Sequence, residues 1–378
     1  MRKNPGDRKL GFTRVWVCLI FLIVLFGCKP SEPVRIGFVA GTSGRVADLG
    51  IAGRDAAQLA IEHRNQAGGI SGRKVQLIIR NDEQQPSVAK RVVGELIAEG
   101  VSAIVGPMTS DMGVAMVPIA NEAKMLLVSP TVTTEALTGI DDYFFRVTST
   151  TRHFASRNAH YQIKTNRMRR VAVAYDLGNK SFTENWLNNF RIAFSQGGGN
   201  IIMTRGFDVT SNITFLQIAR DLLAAKPDGV LIVANSMDSA LLCQQVRKLD
   251  SHIPITLSDW GATERLLELG GKAVEGVTVV QTFDRNSTAP RYQEFRHAYL
   301  ERFHREPGFG GVYAYDAANV VLDALSKQKG GQSLKDSILA IRHFEGLQST
   351  FSFDDFGDVK RPHASISIVR DGQFVVME

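Results

Sequence analysis

The residues best placed to do chemistry stand in short loops that follow apolar runs. Met108-Thr109-Ser110 ends one such run and opens a helical stretch. Free backbone N–H groups and the positive dipole end there suit a carboxylate, with the Ser110 hydroxyl as an added donor. Ser110 or Thr109 can equally be an N-cap that satisfies its own helix. Thr131-Val132-Thr133 follows the next apolar run and either offers two hydroxyls or makes its own turn. In Ser258-Asp259-Trp260-Gly261 an acid lies just past a strand. A ligand ammonium taken out of water needs such an acid or several oxygens. Asn235 follows another strand and faces the same mouth, while Leu49, Met108 and Trp260 are apolar walls or ordinary packing. Arg45 and Asp48, in the loop Gly44–Gly50, touch a ligand, close a cleft or stay solvated. Arg45 would matter most for a ligand with a second carboxylate.

Covalent chemistry has little to work with. The eight His are scattered, and none forms the two-His spacing with Glu of a helical zinc protease. His297 and His304 are two helical turns apart and read as solvated surface. There is no Gly-x-Ser-x-Gly elbow, no phosphate loop and no Gly-rich nucleotide fingerprint after an early strand. Three Cys cannot build a disulfide scaffold or a four-thiolate zinc site. The expectation is a binding protein with no catalytic residue, no metal and no cofactor.

The elements that must position these loops alternate regularly. Val34–Ala40, Lys74–Arg80, Ser102–Val105 and Met125–Val128 read as buried strands, separated by helices at Asp55–Gln66, Pro86–Glu99 and Ser110–Ala123. The alternation resumes with strands Val171–Tyr175, Asn200–Gly206, Gly229–Val233 and Ile255–Leu257. Between them lie helices Phe182–Ser195, Ile213–Ala225 and Asp238–Leu249. Such strand–helix units predict an α/β chain with two doubly wound, Rossmann-like lobes on parallel central sheets. Helices Tyr292–Phe303 and Tyr313–Lys327 follow, then strands Ser349–Phe353, Ser365–Arg370 and Phe374–Met377. Asp371-Gly372 marks a hairpin between the last two.

With 378 residues, 44% hydrophobic and 22% charged, the chain has material for two domains with cores. Its net charge of +6 is concentrated at one end, where residues 1–27 carry five basic side chains against Asp7. Val15–Phe26 is an uncharged apolar run of twelve residues, shorter than the roughly twenty of a spanning helix. Together these read as a secretory signal. Leu25-Phe26-Gly27-Cys28 resembles the lipobox of bacterial lipoproteins, which implies lipidation of Cys28 and a membrane anchor through that lipid. Residues 28–33 are then a tether. Removing residues 1–27 leaves 39 basic against 37 acidic side chains, so no nucleic-acid partner is expected. Cys243 is left alone and reads as a buried small hydrophobe.

Several blocks in order then become specific. Asn65–Gly72, Asn81-Asp82 with Gln84-Gln85-Pro86, Val105-Gly106-Pro107 and Val128-Ser129-Pro130 come first. Tyr175-Asp176 before Asn179, and Tyr313–Asp316, follow. In this order they resemble the type I periplasmic binding proteins, in the branch of the leucine/isoleucine/valine receptors of ABC importers. The resemblance implies lobe one at 34–147 plus 283–345, lobe two at 148–282 plus 346–378, and ligand enclosed between them by hinge closure. It implies that Ser110, Thr131 and Thr133 hold a ligand carboxylate and ammonium. Phe182 matches an aromatic contact. Asp259, or Trp260 in its stead, stands near the place of a ligand-binding Glu in the leucine receptors. The implied partners are a small-molecule ligand, most naturally an amino acid, and an ABC transporter permease. The implied location is the bacterial cell envelope, facing periplasm or exterior. A sensing receptor that reports an amide or organic acid to a signalling partner is the other use of this fold.

Overall fold

Val34–Ala40 is apolar at nearly every position, and the fold buries it as a central strand. The computed structural model describes residues 32–360 and 364–377. Strand β1 (Val34–Ala40) pairs in parallel with β2 (Val75–Asn81) on one side and β3 (Ile104–Val105) on the other. With β4 (Leu127–Ser129) and β5 (Phe144–Arg146) it makes a sheet ordered β2-β1-β3-β4-β5. Helices α1 (Ala47–Gln66), α2 (Pro86–Ala98) and α3 (Ser110–Glu122) connect these strands. After helix α4 (Thr151–Lys164) comes a second parallel set: β6 (Arg170–Asp176), β7 (Asn200–Phe207), β8 (Gly229–Val233), β9 (Ile255–Leu257) and β10 (Thr278–Gln281). Its helices are α5 (Lys180–Gln196), α6 (Phe215–Ala224), α7 (Ser236–Leu249) and α8 (Glu264–Gly270).

The chain returns through α9 (Pro290–Phe303), α10 (Gly308–Lys327) and α11 (Leu334–Ala340), with α10 packed on α1 of the first lobe. A small sheet follows, made of β11 (Phe344–Glu345), β12 (Thr350–Phe353) and β13 (Val359–Lys360). It sits at the first lobe's edge, where Asp358 bridges Arg146 of β5. The expected lobe boundary at 345/346 therefore falls inside this sheet. Finally β14 (Ser365–Arg370) and β15 (Gln373–Val376) add antiparallel to β10. Their two-residue turn, Asp371 at φ 51° and Gly372 at φ 70°, is the hairpin geometry that the Asp-Gly pair predicts. The two-lobed α/β architecture with parallel central sheets is thus as expected.

Several elements begin or lie where the sequence gives little warning, β5, β10, α8 and α11 among them. Helix α1 starts at Ala47 rather than Asp55, because Gly50 and Gly53 serve close packing despite their low helix propensity. A Cβ at Gly50 would stand 2.0 Å from the Gly41 carbonyl oxygen. Helix α10 likewise starts at Gly308 rather than Tyr313. The apolar face of helix α4, with Phe154, Ala155, Ala159 and Tyr161, is interrupted by buried Asn158 and Gln162. Their amides bond Thr256 and Thr278 of the second sheet, at 2.9–3.2 Å.

The expected signal at residues 1–27 and the lipidated Cys28 lie outside the described residues. Of the expected tether only Glu32 and Pro33 are described; both are exposed. Among the described residues no helix is long and apolar enough to cross a membrane. Cys243 is fully buried in α7, and burial pushes its thiol up to about 12.

Candidate functional site

Both sheets change winding direction at a central strand, between β1 and β3 in one lobe and between β6 and β8 in the other. Loops leaving a doubly wound sheet there diverge and open a crevice beyond the strand ends. In the first lobe β3 runs into Gly106, whose φ of 121° and approach to the Val39 carbonyl (2.3 Å from a Cβ placed there) require glycine. This turn aims Met108, Thr109 and Ser110 into the crevice. The loop after β4 is laced onto it: the Ser129 hydroxyl donates to the Pro107 carbonyl at 2.7 Å, and the Thr131 hydroxyl to the Met108 carbonyl at 2.5 Å.

Two small adjoining cavities occupy the crevice. The first is lined by Leu49, Met108, Thr109, Ser110, Phe182 and Trp260 among others; the second extends along the interlobe crossings. Thr131, Asp259 and Phe309 line both. Each holds about 20 Å³ for the centre of a water-sized group, room for about one or two waters. The crevice is therefore closed.

Its polarity is uneven. Ser110 is buried at the first position of α3, where unpaired helical N–H groups concentrate. Thr133 is 2% exposed, and its hydroxyl has no hydrogen-bond partner, an unusual state for a buried polar atom. Asp259 opens a single 3-10 turn after β9, and one carboxylate oxygen accepts from the Trp186 indole N–H at 2.9 Å. Burial pushes its carboxyl up to about 7; the Trp186 bond pulls the other way. Phe182 packs edge-on against Trp260, ring centres 5.5 Å apart.

Not every expected residue reaches this place in the same way. Thr109 lines the first cavity, but its hydroxyl donates to Gln84 at 2.9 Å. Asn235 lines neither cavity. It caps α7 by accepting from the Asp238 N–H, donates to the Asp238 carboxylate at 2.6 Å, and serves buried Asp176 as well. Arg45 lies in an outer opening of about 530 Å³ and pairs across the lobes with Asp238, Nε to carboxylate 2.8 Å. Asp48 beside it accepts the Ser236 and Thr263 hydroxyls of lobe two at 2.8 and 2.6 Å.

Sequence reasoning gave no ligand role to Asn179, Phe309, Tyr313, Thr148 or Thr282, which also line the cavities. Thr148 and Thr282 sit on interlobe crossings, which carry no periodicity. Phe309 hides in a glycine-rich helix start. Asn179 adds a second device. Its side chain accepts from the Asp111 N–H of α3 at 3.0 Å, while the Asp111 carboxylate accepts the Lys180 and Ser181 N–H groups of α5 at 3.1 and 2.8 Å. Each lobe thus caps a helix of the other.

Comparison with known proteins agrees with this geometry. Residues 33–372 match the family model described as periplasmic binding protein. A Leu/Ile/Val-binding protein homolog of Brucella melitensis is 23% identical over 360 residues, covering 93% of this chain and 96% of that protein. The leucine-, isoleucine-, valine-, threonine- and alanine-binding protein of Pseudomonas aeruginosa is 21% identical, covering 87% and 88%. Among solved structures, the branched-chain amino acid transporter substrate-binding protein of Streptococcus pneumoniae with isoleucine superposes with a TM-score of 0.84 at 23% identity, covering 92% and 99%. An ABC transporter solute-binding protein of R. palustris with benzoate gives 0.83 at 18% identity, covering 92% and 96%. The chain belongs to the periplasmic binding protein family.

Proposed function

We propose that this protein is an exported, lipid-anchored receptor that captures a small amino acid between its lobes and delivers it to an ABC importer. The observation that carries the reading is the convergence of three groups on one closed interlobe space. These are the start of α3 with Ser110, the unpartnered Thr133 hydroxyl and the buried Asp259 carboxylate. The first suits a carboxylate; the other two, which line the second cavity together, suit an ammonium. Leu49, Met108, Phe182 and Trp260 supply apolar wall. A thermal-shift screen against amino acids, amides and organic acids, followed by calorimetry on the best hits, tests this. A chain stabilised by no amino acid at millimolar concentration is not such a receptor.

The named relatives bind either amino acids or, in one solved structure, benzoate. Asp259 favours the former, because a benzoate-like acid would leave a buried carboxylate facing another one.

The Thr133 hydroxyl gives a signed prediction. It is desolvated without a partner, so the unliganded fold gains nothing from it. Thr133→Ala is expected to leave the unliganded melting temperature unchanged or slightly higher. It should weaken the ligand about tenfold, in line with one lost bond to a charged group. Lowered stability would make Thr133 a structural residue.

Closure is a shift between open and closed states, biased by whatever contacts form only in the closed one. The Asp111 carboxylate makes such contacts with α5. Asp111→Ala removes a cap worth about 1 kcal/mol, so Kd is expected to rise about fivefold. Small-angle scattering should then show the compact form populated only at higher ligand concentration. Unchanged Kd and unchanged compaction would place the latch outside the closure equilibrium.

A further inference from the structure

The second cavity is more than an extension of the first. Beyond the shared Thr131, Asp259 and Phe309 it is lined by Thr133, Thr148, Gln281, Thr282 and Tyr313 with Phe154. The first cavity, by contrast, carries most of the apolar wall. Asp259 stands between them, so a ligand whose ammonium meets Asp259 has its carboxylate toward α3 and other substituents free to turn toward the crossings.

The chemistry of that lining is selective. It contains no Lys, Arg or His, so a second carboxylate there would be a desolvated anion beside Asp259. The Gln281 amide is already committed, donating to the Ser367 hydroxyl at 2.5 Å and accepting from Arg285 at 2.9 Å. Thr282 and Tyr313 share a hydroxyl–hydroxyl bond on this lining, and the Thr282 oxygen keeps a further lone pair. Thr148 is 3% exposed and lines the cavity. An aliphatic branch pressed on these hydroxyls would strip their water and return no bond. The space is small, about 20 Å³ for the centre of a water-sized group, so it admits only a compact group.

We infer that the ligand carries a small neutral hydrogen-bonding group, a hydroxyl or carboxamide, which sits among Thr148, Thr282 and Tyr313 at the crossings. This deepens the amino-acid reading above and rests on it: the solute class is hydroxylated or amide amino acids rather than leucine, isoleucine or valine. Thr148 is then a specificity-determining residue.

Calorimetry on the purified protein with free threonine, asparagine, glutamine, leucine, glutamate and benzoate tests the assignment. At least one of the first three is expected to bind about tenfold or more tighter than leucine, since a site built for a hydrogen bond rejects the analogue without it. Thr148→Val, nearly equal in shape, should cost that ligand about tenfold and leave leucine within about twofold. Thr148→Ser should restore the preference, and unchanged melting curves exclude misfolding. Leucine binding as tightly as all three polar amino acids overturns this inference alone. So does an equal loss for both classes in Thr148→Val. Binding of benzoate with no amino acid overturns the amino-acid reading and this inference with it.

Discussion

Asp259→Asn is expected to weaken amino-acid binding on the order of a hundredfold, the cost of truncating one partner of a desolvated charge pair. The same substitution should leave a ligand without an ammonium nearly unaffected. The pH dependence gives the sharper form of this result. In the unliganded chain burial holds the Asp259 carboxyl near 7, with one indole N–H to favour the anion. An ammonium arriving beside it favours ionisation, so capture of an amino acid expels a proton wherever Asp259 was protonated. Affinity should therefore fall as pH drops below about 7, by up to about tenfold per unit. A carboxylate without an ammonium has the opposite sign: it is repelled by ionised Asp259 and binds better as pH falls through 7. Calorimetry at pH 5.5, 7 and 8.5, in buffers of different ionisation enthalpy, reads both the slope and the proton. In Asp259→Asn the slope should vanish.

Asp259 also makes the stability of the unliganded chain depend on pH. With its pKa raised above the unfolded value, Asp259 holds a proton in the folded chain that the unfolded chain has lost. Its contribution is fullest below the ordinary carboxylate range and is lost as pH rises through about 7. The unliganded Asn variant should therefore gain melting temperature over the parent at pH 8 and show no such gain at pH 4. A Kd independent of pH in the parent would separate Asp259 from the ligand's charge.

The parts of this architecture that the sequence made readable are those with one dominant local signal. Strands such as Val34–Ala40, apolar except at Arg35, and Gly229–Val233 read as apolar runs, because parallel strands are covered on both faces. The Asp-Gly hairpin needs two left-handed residues and names them. Strand-end loops bearing Ser110, Thr131 and Asp259 follow from the winding alone. What stayed hidden depends on partners distant in sequence. Helix α4 turns Asn158 and Gln162 inward beside Phe154, Ala155, Ala159 and Tyr161, so polar side chains interrupt its core face and blur the periodicity. Asn235 and Asn179 both precede a helix after a strand, yet one serves Asp238 and Asp176 while the other reaches the opposite lobe. Their types are identical; only the closed geometry separates them.

Arg146 shows the same dependence with a larger energy behind it. It ends β5, just before the chain crosses to the second lobe, and its guanidinium is completely buried. Nε and Nη2 lie 2.7 and 2.6 Å from the Asp358 carboxylate, Nη1 donates to the Thr134 carbonyl at 2.8 Å, and Nη2 also meets the Thr138 hydroxyl. Desolvation works against this charge and Asp358 offsets it. One side chain thus fastens the loop after β4, the edge strand and the small sheet together. Arg146→Ala leaves Asp358 without its cation in a largely buried setting, and is expected to cost about 3–5 kcal/mol. That loss corresponds to melting on the order of 10 °C lower. Arg146→Lys keeps the charge without the fork and should fall between. The double change Arg146→Met with Asp358→Leu should be less destabilised than Arg146→Ala, because it removes the orphaned anion as well as the cation. Because the staple lies within one lobe's edge, Arg146→Lys should keep the full ligand-induced rise in melting temperature. If that rise disappears too, Arg146 acts on the cavity through Thr148, two residues along, and the crossing is part of the binding site's support.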